Sequence, residues 1–247
     1  MVIATIATSA HVFADKFSFQ ECFSWYTVPT KDNIRPTSFE AKEILDKYDV
    51  IYLGNENEKK IYLTFDAGYE NGNVEKTLDA LKNNNVKGAF FVLPHLIKAN
   101  PELIQRMIND GHIVCNHSTS HKDMSKISDI EQFKKELSGL EELYFQNTGL
   151  EMAKFFRPPE GRFSEENLKM ASELGYKTVF WSLAYADWDN NKQMPPEKAK
   201  DLILSRVHNG CVILLHPTSD TNAAILDELI KALLAQGYTF GTLFDFA

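Results

Sequence analysis

From Lys60 onward the sequence keeps a regular alternation. Apolar runs at 61–65, 88–93, 112–115, 154–156, 177–183, 211–215 and 238–240 are separated by helical stretches at 73–84, 101–110, 128–146, 164–174, 196–208 and 220–236. Several runs are continuous rather than alternating, the pattern of parallel strands covered on both faces. Helix stops fall at Gly111, Gly149, Gly175, Gly210 and Gly237, and Pro101, Pro195 and Pro196 stand where helices begin. Strands alternating with helices leave two α/β architectures, a parallel (β/α) barrel and a doubly wound open sheet.

The residues just past each run choose between them. The first run ends in Asp66, the third in Asn116 and His117 with His121 close behind, the fourth in Arg157, and the sixth in His216. The fifth runs on to Asp187 and Trp188. Side chains with catalytic chemistry thus gather past the carboxyl ends of five strands, where parallel α/β folds place their active sites. A barrel accounts best for that convergence, and it argues for an enzyme.

The bulk properties are compatible. A chain of 247 residues with 44% apolar and 24% charged residues has material for one large domain. A net charge of −8 argues against nucleic acid as the main partner, because a phosphate backbone requires a basic face. No run approaches the ~20 apolar residues of a membrane span. Three scattered cysteines make neither a disulfide framework nor a zinc knuckle, and Cys115 and Cys211 read as inert core thiols inside strands. Residues 1–14, MVIATIATSAHVFA, resemble the back half of a secretory signal without its basic front; a frayed terminus is the other reading. Residues 15–58, aromatic at first and with a short helix expected near 38–47, read as an N-terminal arm packed on the barrel domain of 59–247.

His117 and His121 form an H-x3-H pair. On one helical turn both imidazoles face the same way and reach one divalent ion; surface or capping histidines are the plainer alternative. In Arg157-Pro-Pro-Glu-Gly161 the prolines enforce an extended path and Gly161 permits a tight turn. Arg157 is placed either to pair with Asp66 across the barrel mouth or to cap a helix end. Asp187 set against His216 would keep that imidazole protonated, as a general acid requires; a satisfied core histidine is the alternative. His11, His95, His112 and His208 lack such company and read as structural or surface residues.

In this order, TFDAG, HSTSH, RPPEG, Asp187-Trp188 and LLH resemble the motifs of the NodB-like polysaccharide deacetylases, carbohydrate esterase family 4. The forms TFDAGYENG and KYDVIYLG are most similar to the sporulation branch that makes the muramic δ-lactam, and that similarity extends to Phe23-Ser24-Trp25. The resemblance implies a distorted (β/α) barrel of about seven parallel strands. It implies Asp66 as general base, Arg157 as its orienting partner, His216 as general acid with Asp187 behind it, and His117 and His121 as metal ligands. It further implies Trp188 and Leu215 as walls of the acetyl pocket, the Glu160 N–H as an oxyanion donor and Gly161 beside it as a substrate contact. Arg162, beside Gly161, is the candidate to receive a lactyl carboxylate.

The sequence departs from the family at one point: Ala67 stands where most members carry a second aspartate, the third metal ligand. A methyl group cannot coordinate, so the implied divalent ion, zinc or similar, is expected to bind weakly. The resemblance implies an extracytoplasmic, monomeric hydrolase. It would remove the acetyl group of N-acetylmuramic acid from peptidoglycan glycan strands after an N-acetylmuramoyl-L-alanine amidase has stripped the stem peptide. Two other readings remain at this point: a deacetylase of N-acetylglucosamine polymers such as chitin, and a non-catalytic glycan-binding module.

Overall fold

The computed structural model describes residues 21–38 and 42–246. The expectations for residues 1–14, for 15–20 and for His11 lie outside the described residues. The first described elements belong to the arm: strand β1 (Phe23–Ser24) and helix α1 (Lys42–Lys47). There follow β2 (Lys60–Ala67), α2 (Val74–Asn83), β3 (Gly88–Val92), α3 (Pro94–Ala99), α4 (Pro101–Asn109), β4 (Ile113–Asn116) and α5 (Ile130–Thr148). The second half carries β5 (Phe155–Phe156), β6 (Arg162–Phe163), α6 (Glu165–Glu173), β7 (Lys177–Thr178), α7 (Pro196–Arg206), β8 (Cys211–Leu215), α8 (Asp220–Ala235) and β9 (Thr239–Phe240).

Local chemistry sets the helix ends. Asp129 caps α5 by accepting the Gln132 N–H at 2.8 Å, and Gly149 closes the same helix at φ 70°. A Ser164–Asn167 capping box opens α6. Helix α3 was not expected from the sequence; it fits between β3 and α4 because Pro94 starts one short helix and Pro101 the next.

Seven strands form one sheet in the order β7–β5–β4–β3–β2–β8, with β9 also on β2, and every ladder is parallel. The sheet curls until its ends meet. The run 177–183 pairs with β5 at its start, while Leu183 bridges Ile213 of β8 at its end. This bears out the distorted (β/α) barrel. Only Lys177–Thr178 of that run is regular strand, because its middle pairs with the arm: the Ile51 N–H donates to the Thr178 carbonyl and the Phe180 N–H to the Ile51 carbonyl. The arm therefore fills the seam of the barrel as well as covering it.

Alternation along each strand sorts side chains into two layers. Tyr62, Phe91, Ile113, Cys115, Phe155 and Val212 point into the barrel, joined by Ile51. Ile61, Leu63, Phe65, Phe90, Val92, Ile213 and Leu215 face the surrounding helices. Each such fully buried side chain contributes ~1.5–3 kcal/mol. A smaller cluster docks the arm, where Trp25 stacks on Phe180 at 4.4 Å between ring centroids and donates its indole N–H to the Trp181 carbonyl at 2.8 Å. Among the described residues no helix is long and apolar enough to cross a membrane.

Candidate active site

Asp66 is the penultimate residue of β2 and lies two residues beyond Thr64, so both carry their side chains to the interior face at the carboxyl end of the barrel. Arg157, at the end of β5, reaches them from across the mouth. Its guanidinium meets Asp66 Oδ1 at 2.7 Å, Thr64 Oγ1 at 2.8 Å and the carbonyls of Val179 and Phe180 at 3.0 and 3.2 Å. It is wholly buried and lies 4.2 Å from the centroid of the Phe91 ring. Burial on its own would raise the Asp66 carboxyl, but the neighbouring charges, Arg157 first, outweigh it and hold Asp66 below the ordinary carboxylate value. Of the two readings of Arg157, the pairing with Asp66 is the one the geometry contains.

His216 follows β8 directly. Its Nδ1 lies 2.8 Å from Asp187 Oδ1, and its backbone N–H donates to Asp187 Oδ2 at 2.8 Å. Asp187 is buried and takes a third bond, from Asn222 Nδ2 at 2.6 Å; Asn222 in turn accepts from the Tyr185 hydroxyl. Burial pulls the His216 imidazole down, yet the bond and charge of Asp187, with the charge of Asp66, carry it above its ordinary value. The ring of Trp188 lies 6.5 Å from that of His216 and is exposed at the rim.

His117 and His121 do come together, with ring centroids 5.1 Å apart, but not on a helical turn. Residues 117–121 are a loop in which Ser118 (φ 70°) and His121 (φ 52°) are left-handed. Two local bonds and one from α5 hold it there: Asn116 Oδ1 accepts the Ser118 N–H, Ser118 Oγ the His121 N–H, and Glu136 the Ser120 N–H. Asn116 thus shapes the loop rather than facing the mouth; its amide donates to Leu137 O and Tyr176 Oη. The Arg157 carbonyl, 2.8 Å from His117 Nδ1, can only accept, so Nδ1 carries the proton and Nε2 presents its lone pair. Burial lowers this imidazole to about 4, so near neutral pH it is uncharged and its 3.6 Å approach to Asp66 Oδ2 is not an ion pair. A lone pair facing a carboxylate oxygen calls for a cation or a proton between them. Among the described residues no group of three or more His, Cys, Asp or Glu side chains completes a metal site. His117 Nε2, with the His121 ring 5.1 Å away between centroids, is the donor that could hold such a cation, and these two imidazoles are the ring donors gathered there.

Two expected substrate contacts, Leu215 and Gly161, are corrected. Leu215 shares the outer face with its register partner Phe65 and packs into the helical shell, whereas Leu214, paired with Thr64, carries the inner face. Strand parity predicts this from Thr64 and Asp66, and the expectation for Leu215 overlooked it. Gly161 is buried: at φ 65°, an added Cβ would stand 2.8 Å from the Trp181 ring and 3.1 Å from Trp25, so it serves close packing under the arm. Arg162 is not free, because its Nε lies 3.2 Å from Asp123 Oδ2, an oxygen it shares with Lys126. Glu160 is exposed in a left-handed turn at φ 57° on the same loop. Thr64 and Asn222, which position Arg157 and Asp187, carry no signal of their own in the sequence. Cys115 is buried in the barrel wall with its thiol pushed up by burial, and the buried imidazoles of His112 and His208 are both lowered to about 4, which keeps all three out of the chemistry.

Comparison with known proteins agrees with this geometry. The family described as polysaccharide deacetylase matches residues 53–179, a span that contains Asp66, His117, His121 and Arg157. The chain is 46% identical over 207 residues to the peptidoglycan-N-acetylmuramic acid deacetylase PdaA of Bacillus subtilis, covering 83% of this chain and 78% of that one. It is 32% identical over 203 residues to a peptidoglycan-N-acetylglucosamine deacetylase of Bacillus cereus, covering 81% and 72%. The solved structure of Bacillus subtilis PdaA, a family 4 carbohydrate esterase, superimposes with a TM-score of 0.88 over 92% of this chain and 97% of that one, at 42% identity. With these matches, a curled parallel barrel and an Asp66–Arg157 pair facing a His216–Asp187 pair, the chain belongs to the polysaccharide deacetylase family.

Proposed function

We propose that the protein hydrolyses the N-acetyl group of N-acetylmuramic acid in peptidoglycan from which the stem peptide has been removed. The observation that carries the chemistry is the pair of opposed environments at one barrel mouth. Arg157, bonded at 2.7 Å, holds the Asp66 carboxyl below its ordinary range, and Asp187, bonded at 2.8 Å, raises the His216 imidazole above its own. Two titratable groups pushed in opposite directions are the signature of a base and an acid assigned to one reaction.

Asp66 takes a proton from water as the water oxygen attacks the acetyl carbonyl carbon. Arg157 keeps that carboxylate oriented, with Oδ1 occupied and Oδ2 turned toward His117. His216 then gives its proton to the sugar nitrogen as the C–N bond breaks, leaving acetate and a free amine. Each of these roles contributes ~10²–10⁴ in rate. Leu214, paired with Thr64 on the inner face, and Trp188, 6.5 Å from the His216 ring, would form the walls around the acetyl methyl. A divalent ion held by His117 and His121, when bound, would polarise the carbonyl and acidify water. Its hold would be weak because Ala67 offers no third ligand.

The muramic specificity is supported by the 46% identity to PdaA against 32% to the N-acetylglucosamine enzyme. Arg162, five residues beyond Arg157 and paired with Asp123 through Nε, keeps its side chain partly exposed and is our candidate for the lactyl carboxylate. The reading extends to the setting expected from the sequence: an extracytoplasmic monomer of the sporulating cell wall, acting after an amidase. Its product amine would condense with the lactyl carboxylate to a δ-lactam. The deciding experiment incubates the protein with intact and with peptide-stripped peptidoglycan and analyses the muramic acid released by digestion. Loss of the acetyl group from stripped strands is expected. Acetate released only from chitin oligomers, or from no glycan, overturns the reading.

A further inference from the structure

A groove of about 270 Å³ runs between the arm and the 181–188 loop, and Asp66, Arg157 and His216 are not on its lining. Trp188 is common to both, since it lines the groove and stands against His216. Its other walls include Tyr26, Trp181 and Tyr185, with Arg206 also on its lining. Tyr26 is 50% exposed and Trp188 65%, so two large rings are left open to solvent along one cleft. Exposed aromatic faces grouped beside an active site mark a ligand surface, and the C–H face of a pyranose is apolar enough to stack on them.

Arg206 supplies the second, independent observation. Of the five arginines, Arg35 donates to the Gly54 and Asn209 carbonyls, Arg106 pairs with Asp79 and Asp110, Arg157 with Asp66, and Arg162 with Asp123. Arg206, partly buried in the groove, has no hydrogen bond or ion pair with any described residue. It lies in the last turn of α7, where the helix dipole favours a cation by ~0.3–1 kcal/mol but does not occupy the guanidinium fork. An unoccupied guanidinium on an acidic protein, at one wall of an aromatic cleft, matches a ligand with a carboxylate on a sugar.

We infer that this groove is an accessory subsite for the glycan strand, in which a flanking sugar stacks on Tyr26 and Trp188 and Arg206 pairs with the carboxylate of a flanking muramic residue. The inference rests on the peptidoglycan reading above. It assigns the arm a role in strand recognition that the barrel itself does not provide, because Tyr26 precedes the matched family region of 53–179.

The test measures binding, which does not require turnover. Peptide-stripped glycan strands, and the same strands with their carboxylates converted to methylamides, are titrated by calorimetry into wild type, Arg206→Gln, Arg206→Lys and Tyr26→Ala, with thermal unfolding of each variant. Arg206→Gln is expected to weaken binding of the carboxylate strands about tenfold, to leave the methylamide strands unchanged, and to leave kcat/KM on a minimal disaccharide unchanged. Arg206→Lys should recover part of the loss, and Tyr26→Ala should weaken both kinds of strand. Equal binding by wild type and Arg206→Gln, equal loss on both kinds of strand, or a lowered Tm as the sole effect overturns the subsite. If Arg206 dependence holds while wild type releases no acetate, the subsite stands and the deacetylase reading falls. The opposite pattern separates them the other way.

Discussion

Asp187 holds His216 from two directions, with Oδ1 at 2.8 Å from the ring Nδ1 and Oδ2 accepting the backbone N–H at 2.8 Å. The carboxylate thus fixes the ring's rotation and its protonation together. The His216 pKa is raised above its ordinary value by the bond and charge of Asp187, so the protonated form a general acid requires persists to higher pH and is lost as pH rises through the raised value. Asp187→Asn should move the alkaline limb of kcat/KM to lower pH. The same pair stabilises the fold fully below the ordinary histidine pKa, and that contribution fades as pH rises through the folded value. The variant should therefore lose more stability at pH 6 than at pH 9. An unmoved alkaline limb would assign that limb to another group.

The Asp66–Arg157 pair predicts two separable losses. If Asp66 is the base, Asp66→Asn should lower acetate release at least ~10²-fold. It also leaves Arg157 buried without its counter-charge, so stability should fall by ~3 kcal/mol, toward the low end for broken buried pairs because three other acceptors remain. Denaturant unfolding at pH 7 measures the second effect. Retention of more than about a tenth of the activity contradicts the role.

If His216 serves the leaving group, His216→Ala should damage amide substrates far more than an activated acetate ester, whose leaving group needs no proton. Equal losses on both would make the residue structural. The comparison is made with kcat values at one pH.

Leu214 and Leu215 are adjacent in sequence and opposite in role. Leu215→Ala should cost ~2–5 kcal/mol of stability, since it empties a packed position in the helical shell, with little change in kcat/KM. Leu214→Ala should instead raise KM for acetylated substrate and relax the preference for acetyl over larger acyl groups. Reversal of the two phenotypes would show that the strand register has been misassigned.

These cases mark where the sequence is transparent and where it is not. Continuous apolar runs flanked by helix caps announce a parallel barrel, because burial on both faces leaves no other composition. Asp66, Arg157 and His216 were legible because strand ends fix position. The 117–121 loop was not, since its left-handed residues depend on bonds from Asn116 and from Glu136, distant in sequence. The arm's place in the seam depends likewise on Ile51 meeting Val179, a pairing no local pattern carries. Leu215 was misread for a simpler reason: identical neighbours in a strand differ only by parity.

Ala67 is fully buried, the last residue of β2, beside the Asp66 base and packed into the outer apolar cluster. A carboxylate introduced there would lose apolar contacts and be desolvated, and its charge would repel Asp66 and lift that group's pKa. Ala67→Asp is therefore expected to lower the Tm of the metal-free protein. To join His117 and His121 this carboxylate must turn, at the strand end, from the outer face to the face that carries Asp66; where it does so it adds a third ligand, and catalytic zinc sites ordinarily keep three. Zinc should bind the variant more tightly and restore its Tm, by RT ln(1 + [L]/Kd), while wild type responds weakly. Thermal unfolding and calorimetry at one pH, with and without zinc, measure both parts without reference to activity. Wild type binding zinc as tightly as the variant would require a further ligand in the native site. No binding by either protein would remove His117 and His121 as ligands, and leave their loop to serve only in holding Asp66 against Arg157.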